Sequence, residues 1–143
     1  LRDERSKENR ILLCGVFGAR LSEGIDYSDG VLDGVVCIGI PNPPPSVLSS
    51  ALKEYASDKF GKNNAWRYTV TQPAINSILQ AMGRPIRSIN DRALILLLDK
   101  RNRDQTYARC YPVNMKMNAT SEPDTTTSFA KRFFRKVKPN QKE

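Results

Sequence analysis

The chain has 143 residues, 39% hydrophobic and 27% charged, a balance that suits one folded domain with a core of its own. Its formal net charge of +8 and pI of about 9.6 favour an acidic partner, nucleic acid first. The absence of histidine excludes histidine-held zinc and Ser–His or Cys–His catalytic pairs, and no apolar run approaches the roughly 20 residues that span a bilayer.

Residues 1–10 alternate charge without apolar periodicity and read as a solvated segment. Ile11 to Val16 is a short apolar run and a candidate buried strand. The stretch from Gly15 to Gly34 is glycine-rich and loop-like, and Val35-Val36-Cys37-Ile38-Gly39-Ile40 is a second buried strand bounded by Pro41. Three successive prolines, Pro43 to Pro45, force a turn or extended connection. Residues 46–59 fit a helix with Ser46 as N-cap and Val47, Leu48, Leu52 and Tyr55 near one face. Gly61 to Trp66 is expected to break it. Thr71 then caps a second helix with Pro73 in its first turn, and Ala74, Ile75, Ile78, Leu79 and Met82 form its apolar stripe. An end or kink is expected near Gly83–Pro85. Ala93 to Leu98 is a third buried strand, ending at Asp99.

Continuously apolar strands alternating with helices predict an α/β domain whose mostly parallel sheet is covered on both faces. Residues 116–128, rich in Thr, Ser, Asn, Pro and Asp, read as a linker or disordered stretch. Beyond them Phe129, Phe133 and Val137 recur every four residues among basic residues, a candidate basic amphipathic helix. It can bind DNA, a membrane surface or a partner groove, or dock on its own domain. The tail from 126 to 143 holds six basic residues against Glu143, a net +5, which leaves +3 for the rest. The organisation expected is therefore a segment 1–10, a domain 11–115, and a polar linker with basic tail 116–143. Cys14, Cys37 and Cys110 are odd in number and widely spaced, which is no disulfide framework and points to a reducing compartment; Cys14 and Cys37 lie in the apolar runs. A first residue of Leu1 in place of Met leads us to expect part of a longer polypeptide.

Two strings carry chemistry. In Gly18-Ala19-Arg20-Leu21-Ser22-Glu23-Gly24-Ile25-Asp26-Tyr27, glycines let the backbone approach a bound group. Ser22 can donate to a phosphate, and Glu23 and Asp26 can order water or a ribose hydroxyl. Taken alone the string fits a polar turn equally well. In Gln80-Ala81-Met82-Gly83-Arg84-Pro85-Ile86-Arg87, an amide and two arginines stand at fixed spacing in a helical pattern, suited to the charge that develops on a transferring phosphoryl group. Two arginines three apart are also an ordinary solvated face. Gly83 costs that helix about 1 kcal/mol relative to Ala, which suggests constrained local geometry. Trp66, Tyr68 and Tyr107 can stack on bases, although singly each more often packs. Asp99-Lys100-Arg101 fits a strand-terminal turn better than a direct catalytic role. Phe60-Gly61-Lys62-Asn63 lacks the glycine spacing and the following Ser/Thr of a P-loop, and no Asp-Glu box is evident.

In this order the two strings resemble motifs V and VI of the XPD/DinG family of superfamily 2 DNA helicases. The resemblance covers roughly residues 11–112 and includes Val35–Pro41, Asp91 and Asp99-Lys100-Arg101. It departs at Pro85, which can alter the Arg84–Arg87 spacing, and at Ala93, where the family has glycine. It implies the carboxyl-terminal part of the second RecA-like domain, a three-layer fold without its own P-loop. It further implies an ATP-dependent motor running 5′ to 3′ on single-stranded DNA, with a role in DNA repair. By that resemblance Arg84 and Arg87 are arginine fingers and Gln80 faces the γ-phosphate. Ser22, Glu23, Gly24, Asp26 and Gly83 couple nucleotide state to DNA grip, and Ser22 and Arg20 touch DNA. ATP and Mg²⁺ are shared with an amino-terminal RecA-like domain of the same parent, which can also hold an iron–sulfur cluster absent from this chain. The isolated chain is expected to be inactive as an ATPase. A protein partner can dock on the tail. The compartment implied is the cytoplasm of a prokaryote or the nucleus of a eukaryote. The alternative is a nucleic-acid-binding or protein-interaction domain without turnover.

Overall fold

The two strands that pair are those whose sequences are continuously apolar. In the structure, a computed structural model that describes residues 10–19, 31–86 and 88–136, β1 (Gly34–Ile38) and β2 (Leu94–Leu98) run parallel, with Gly34 opposite Leu94 and Ile38 opposite Leu98. Gly34 has a steric reason: a Cβ there would stand 2.7 Å from the Leu94 carbonyl oxygen. Parallel strands need a crossover between them. Here it is helical: α1 (Val47–Phe60), α2 (Lys62–Trp66), a π-helical segment (Arg67–Thr71) and α3 (Gln72–Met82). After β2 come a 3₁₀ turn (Lys100–Arg103) and α4 (Gln105–Ala108), and finally α5 (Pro123–Lys136). The chain divides into two units, Leu1–Val113 and Asn114–Glu143.

The α/β class and the parallel sheet match the sequence reading, as do the second and third strands. The first expected strand does not form. Residues 11–16 carry no strand pairing, Leu12 is 86% exposed, and Cys14 is exposed where burial was expected. An apolar run becomes a strand only when a neighbour supplies hydrogen bonds and cover, and none of the described residues does so here.

Helix α1 starts where Ser46 predicts. The Ser49 N–H donates to Ser46 Oγ at 3.0 Å, and the Ser46 N–H donates to Ser49 Oγ at 2.8 Å, which satisfies two orphan donors of the first turn. It ends at Gly61, whose φ of 82° and ψ of 152° belong to glycine alone, with its N–H bonded to Ser57 O at 2.9 Å. The expected break from Gly61 to Trp66 is confined to Gly61 itself, because Lys62 to Trp66 are helical. Nor does Thr71 cap a new helix. Its φ of −73° and ψ of −40° are helical, its side chain caps nothing, and its hydroxyl donates back to Arg67 O at 3.3 Å. The Gln72 N–H reaches Arg67 O, one residue further than in an α-helix, so the π segment joins α2 to α3 without interruption. Pro73 is tolerated within this join at the start of α3, as expected.

The core of the first unit gathers around α3, which packs against β1. Ile75 and Ile78 are 0% exposed, and Ala74 and Ala81 are buried with them; each isoleucine contributes about 1.5–3 kcal/mol by its burial. Cys37, Ile40, Leu94, Tyr107, Cys110 and Tyr111 are also buried. By contrast Val36 and Ile38 of β1 and Leu98 of β2 are exposed, so the two-sided cover expected of the sheet is not complete among the described residues.

The second unit contains α5. It begins inside the stretch read as linker, with Pro123 as its first residue and Asp124 in its first turn. Both choices favour a helix start, since proline lacks an N–H that would be orphaned anyway and a carboxylate meets the positive helix end. Of the apolar residues expected to mark a basic amphipathic helix, Phe129 and Phe133 lie on α5 and Val137 lies outside the described residues; Arg132 lies 5.7 Å from the Phe129 ring, and Phe133 packs edge-on to Phe134 at 5.2 Å.

Candidate functional site

The buried stripe of α3 fixes the position of the string that follows it. Ala81 is buried, while Gln80 beside it and Gly83 beyond it face outward. Gly83 closes the helix, its N–H bonded to Leu79 O at 3.0 Å, and the Arg84 N–H reaches Ala81 O at 3.2 Å. Pro85 is buried and offers no N–H, so the helix stops there. This is the end expected at Gly83–Pro85. Arg84 is half-buried in that exit. Downstream, Asp91 accepts the Ser88 N–H at 2.8 Å and returns its own N–H to Ser88 O at 3.2 Å, a tight turn that leads into β2.

Gln80, Gly83 and Arg84 are thus brought to one place, the carboxyl end of α3. Arg87 lies outside the described residues, as do Arg20, Ser22, Glu23, Gly24 and Asp26 of the upstream string. The reason inferred for Gly83 needs correction. Its φ is −74°, and a Cβ would sit 3.5 Å from Leu79 O and 3.6 Å from Gln80 O, which is ordinary contact. Neither backbone strain nor crowding inside the chain requires glycine; what it leaves is a bare, exposed step between Gln80 and Arg84.

A second polar assembly stands at the carboxyl ends of the strands, where open α/β sheets present ligands. The Asp99 carboxylate is gripped by Arg101, with Nε at 3.1 Å from both oxygens, Nη2 at 2.6 Å from Oδ2, and the Arg101 N–H at 2.8 Å from Oδ1. The Arg101 hydrogen bonds hold the Asp99 carboxyl below its usual range. Asn102 Nδ2 donates to Asp99 O at 2.9 Å, and the buried Tyr111 hydroxyl donates to Asn102 Oδ1 at 2.6 Å. Asn42, after β1, donates to the Tyr107 hydroxyl at 2.9 Å. These bonds stitch the segment after β1 to the segment after β2. They make Asp99 the turn carboxylate that its sequence context favours. They also remove Tyr107 from the base-stacking candidates, since its ring is buried. Asn42, Asn102 and Tyr111 were not singled out from sequence; the one hint was two tyrosines in an otherwise polar stretch.

Burial pushes the Tyr111 phenol up to about 12 and the Cys37 thiol up to about 11, so both stay neutral near pH 7. Cys37 is therefore packing and not a nucleophile. Among the described residues no group of three His, Cys, Asp or Glu side chains could hold a metal ion, and no helix is long and apolar enough to cross a membrane.

A family model for the helicase C-terminal domain matches residues 2–118. The chain belongs to this family. The helicase domain is of the XPD/DinG type within superfamily 2, and its fold is RecA-like. It is similar to the ATP-dependent DNA helicase XPD of Sulfolobus acidocaldarius, 36% identical over 99 residues, 67% of this chain and 18% of that protein. The ATP-dependent DNA helicase CHL1 of Debaryomyces hansenii is 34% identical over 110 residues, 68% of this chain and 13% of that protein. The corresponding chl1 of Schizosaccharomyces pombe is 31% identical over 119 residues, covering 79% and 14%. The helicase domain thus spans less than a fifth of the length of each of these relatives.

Proposed function

We propose that this chain is part of the second motor domain of an ATP-dependent DNA helicase that moves 5′ to 3′ along single-stranded DNA in repair. The observation that carries this reading is the placement of Gln80, Gly83 and Arg84 at the exit of a helix whose other face is the best-buried surface of the unit. A motor needs a charge-stabilising group that is rigidly held yet faces outward, because the nucleotide is shared with another domain. The residues fit a polyphosphate: from Gln80 to Ile86 there is an amide and a guanidinium and no acid. A carboxamide at Gln80 can orient a γ-phosphate or its attacking water. Arg84, with Arg87 beside it in sequence, stabilises the charge on the phosphoryl oxygens. ATP and Mg²⁺ supply the phosphoryl-transfer chemistry, and their remaining ligands come from the amino-terminal motor domain. Ser22, Glu23, Gly24, Asp26 and Arg20 connect that event to the grip on DNA.

The test is Arg84→Ala in a protein carrying both motor domains. ATP turnover should fall about 10³- to 10⁵-fold, with single-stranded DNA affinity within about twofold of the parent. Near-normal hydrolysis removes the finger assignment.

A second reading, a binding domain without turnover, is favoured by α5, which displays Lys131, Arg132 and Arg135 beside Phe129 and Phe134. Truncation at Ser128 that abolishes a protein contact while leaving DNA binding unchanged supports a docking role for this helix.

A further inference from the structure

Exposed aromatic side chains gather where α1 meets the helix that follows it. Tyr55, Phe60, Trp66 and Tyr68 are 44–58% exposed. Gly61 folds the chain back, so residues of one helix reach rings of the other. Lys53 Nζ lies 5.0 Å from the Trp66 ring centre. Lys59 Nζ lies 5.4 Å from the Tyr55 ring centre and 5.9 Å from that of Phe60, and donates to the Tyr55 hydroxyl at 2.9 Å. Phe60 and Tyr68 meet edge to face at 5.1 Å. Single exposed aromatics need no explanation, but four of them interleaved with ammonium groups do.

Two further observations mark the same corner. The π segment Arg67–Thr71 begins between Trp66 and Tyr68, and such segments are frequent at functional sites because they re-aim side chains at a cost in regular bonding. Arg67 Nε, in that segment, is buried without a hydrogen-bond partner among the described residues, a polar cost that the fold carries at this corner. Charge chooses the occupant. Lys53, Lys59, Lys62 and Arg67 outweigh Glu54 and Asp58 in this segment of a chain of net charge +8. Cations beside exposed ring faces are the combination that holds an unpaired strand, with bases on the rings and phosphates on the cations.

We propose that this corner, which shares no residue with the strings Gln80–Arg87 and Gly18–Tyr27, is a contact surface for single-stranded nucleic acid. Tyr68 and Trp66 stack on bases, and Lys53 and Lys59 meet phosphates. The inference deepens the motor reading, since it gives the translocating strand a foothold of its own.

Trp66 is the only tryptophan in the chain, so its emission reports on this corner directly. Oligothymidylate added to the 143-residue chain without nucleotide should quench Trp66 emission saturably, while inorganic polyphosphate should not. Trp66→Ala with Tyr68→Ala should weaken oligothymidylate binding, read by anisotropy, about tenfold or more. Trp66→Phe with Tyr68 intact should recover most of it. Lys53→Gln with Lys59→Gln should lower the slope of affinity against salt. Absence of quenching, equal quenching by polyphosphate, or unchanged affinity of the Ala pair overturns the proposal. So does a Trp66 already shielded from acrylamide before nucleic acid is added, which would show the corner covered by protein. No step involves ATP, so failure here leaves the Arg84 assignment standing, and failure of Arg84→Ala leaves this corner standing.

Discussion

Helices α1 and α3 are of similar length and lie on either side of one bend, yet they meet opposite fates. Helix α3 buries Ala74, Ile75, Ile78 and Ala81. Of the fourteen residues in α1 only Ala56 is buried, while Val47, Leu48, Leu52 and Tyr55 stay exposed. The sequence grants both an apolar face, so the difference lies in what covers that face. The covered helix acts as a strut that carries Gln80 and Arg84 on its far end. The uncovered one, α1, presents apolar and aromatic surface, which is the ground for proposing a binding role for α1 and a positioning role for α3.

Substitutions can break or sharpen that contrast, each read as a urea denaturation midpoint of the 143-residue chain. Ile78→Ala should cost the most, about 2–5 kcal/mol, because it opens a cavity under the strut; a loss below 1 kcal/mol would mean that α3 is not the core. Gly34→Ala should cost about 1–3 kcal/mol, since the new methyl meets the Leu94 carbonyl at 2.7 Å and the strands must part. Ser46→Ala should cost about 1 kcal/mol through the lost capping box of α1; an unchanged midpoint would show that helix frays without consequence.

The Asp99–Arg101 pair should have a smaller effect, screened by water because the Arg101 side chain is 42% exposed. Its sign is fixed by the lowered carboxyl pKa. The stabilisation is complete above the ordinary carboxylate pKa of about 4 and disappears as pH falls through the lower folded value. Asp99→Asn should therefore flatten the acid limb of stability against pH and leave its slope near pH 7 unchanged. A parallel acid limb in the variant would remove the pair from the account. Leu52→Ala should be the mildest, within about 0.5 kcal/mol; a loss like that of Ile78→Ala would show that α1 is covered in solution and erase the contrast.

What could be read in advance follows the reach of each interaction. Ser46, the stripe of α3 and the two pairing strands act through neighbours in sequence or through sheer apolar content, and each is visible in a string of letters. The run at 11–16 has the same apolar content but lacks a paired strand among the described residues, and no local pattern announces that. The segment Gly61–Trp66 looks like a break because it opens on glycine and holds Asn63 and Asn64, yet packing against α1 keeps the chain from Lys62 helical and on through a π turn. Pro123 and Asp124 are correct helix-starting residues that were hidden inside a polar, threonine-rich stretch. At the candidate site, the position of Gln80 and Arg84 at a helix end was legible from the pattern, whereas the stitching of Asn42 to Tyr107 was not, since these lie 65 residues apart. The gathering of Trp66, Tyr68 and Phe60 with lysines of α1 likewise needs the fold-back at Gly61 to become apparent.

The pairing of Gly34 with Leu94 has a consequence for how this unit is made. Every hydrogen bond of the sheet joins residues separated by the whole helical crossover, so the strands cannot meet until the intervening helices have shortened the chain between them. Closing so long a loop is entropically slow, whereas helices form from local contacts in microseconds. Refolding should therefore run from helix to sheet, and the strands, with Val36, Ile38 and Leu98 still uncovered when they arrive, are open to pairing with the wrong neighbour.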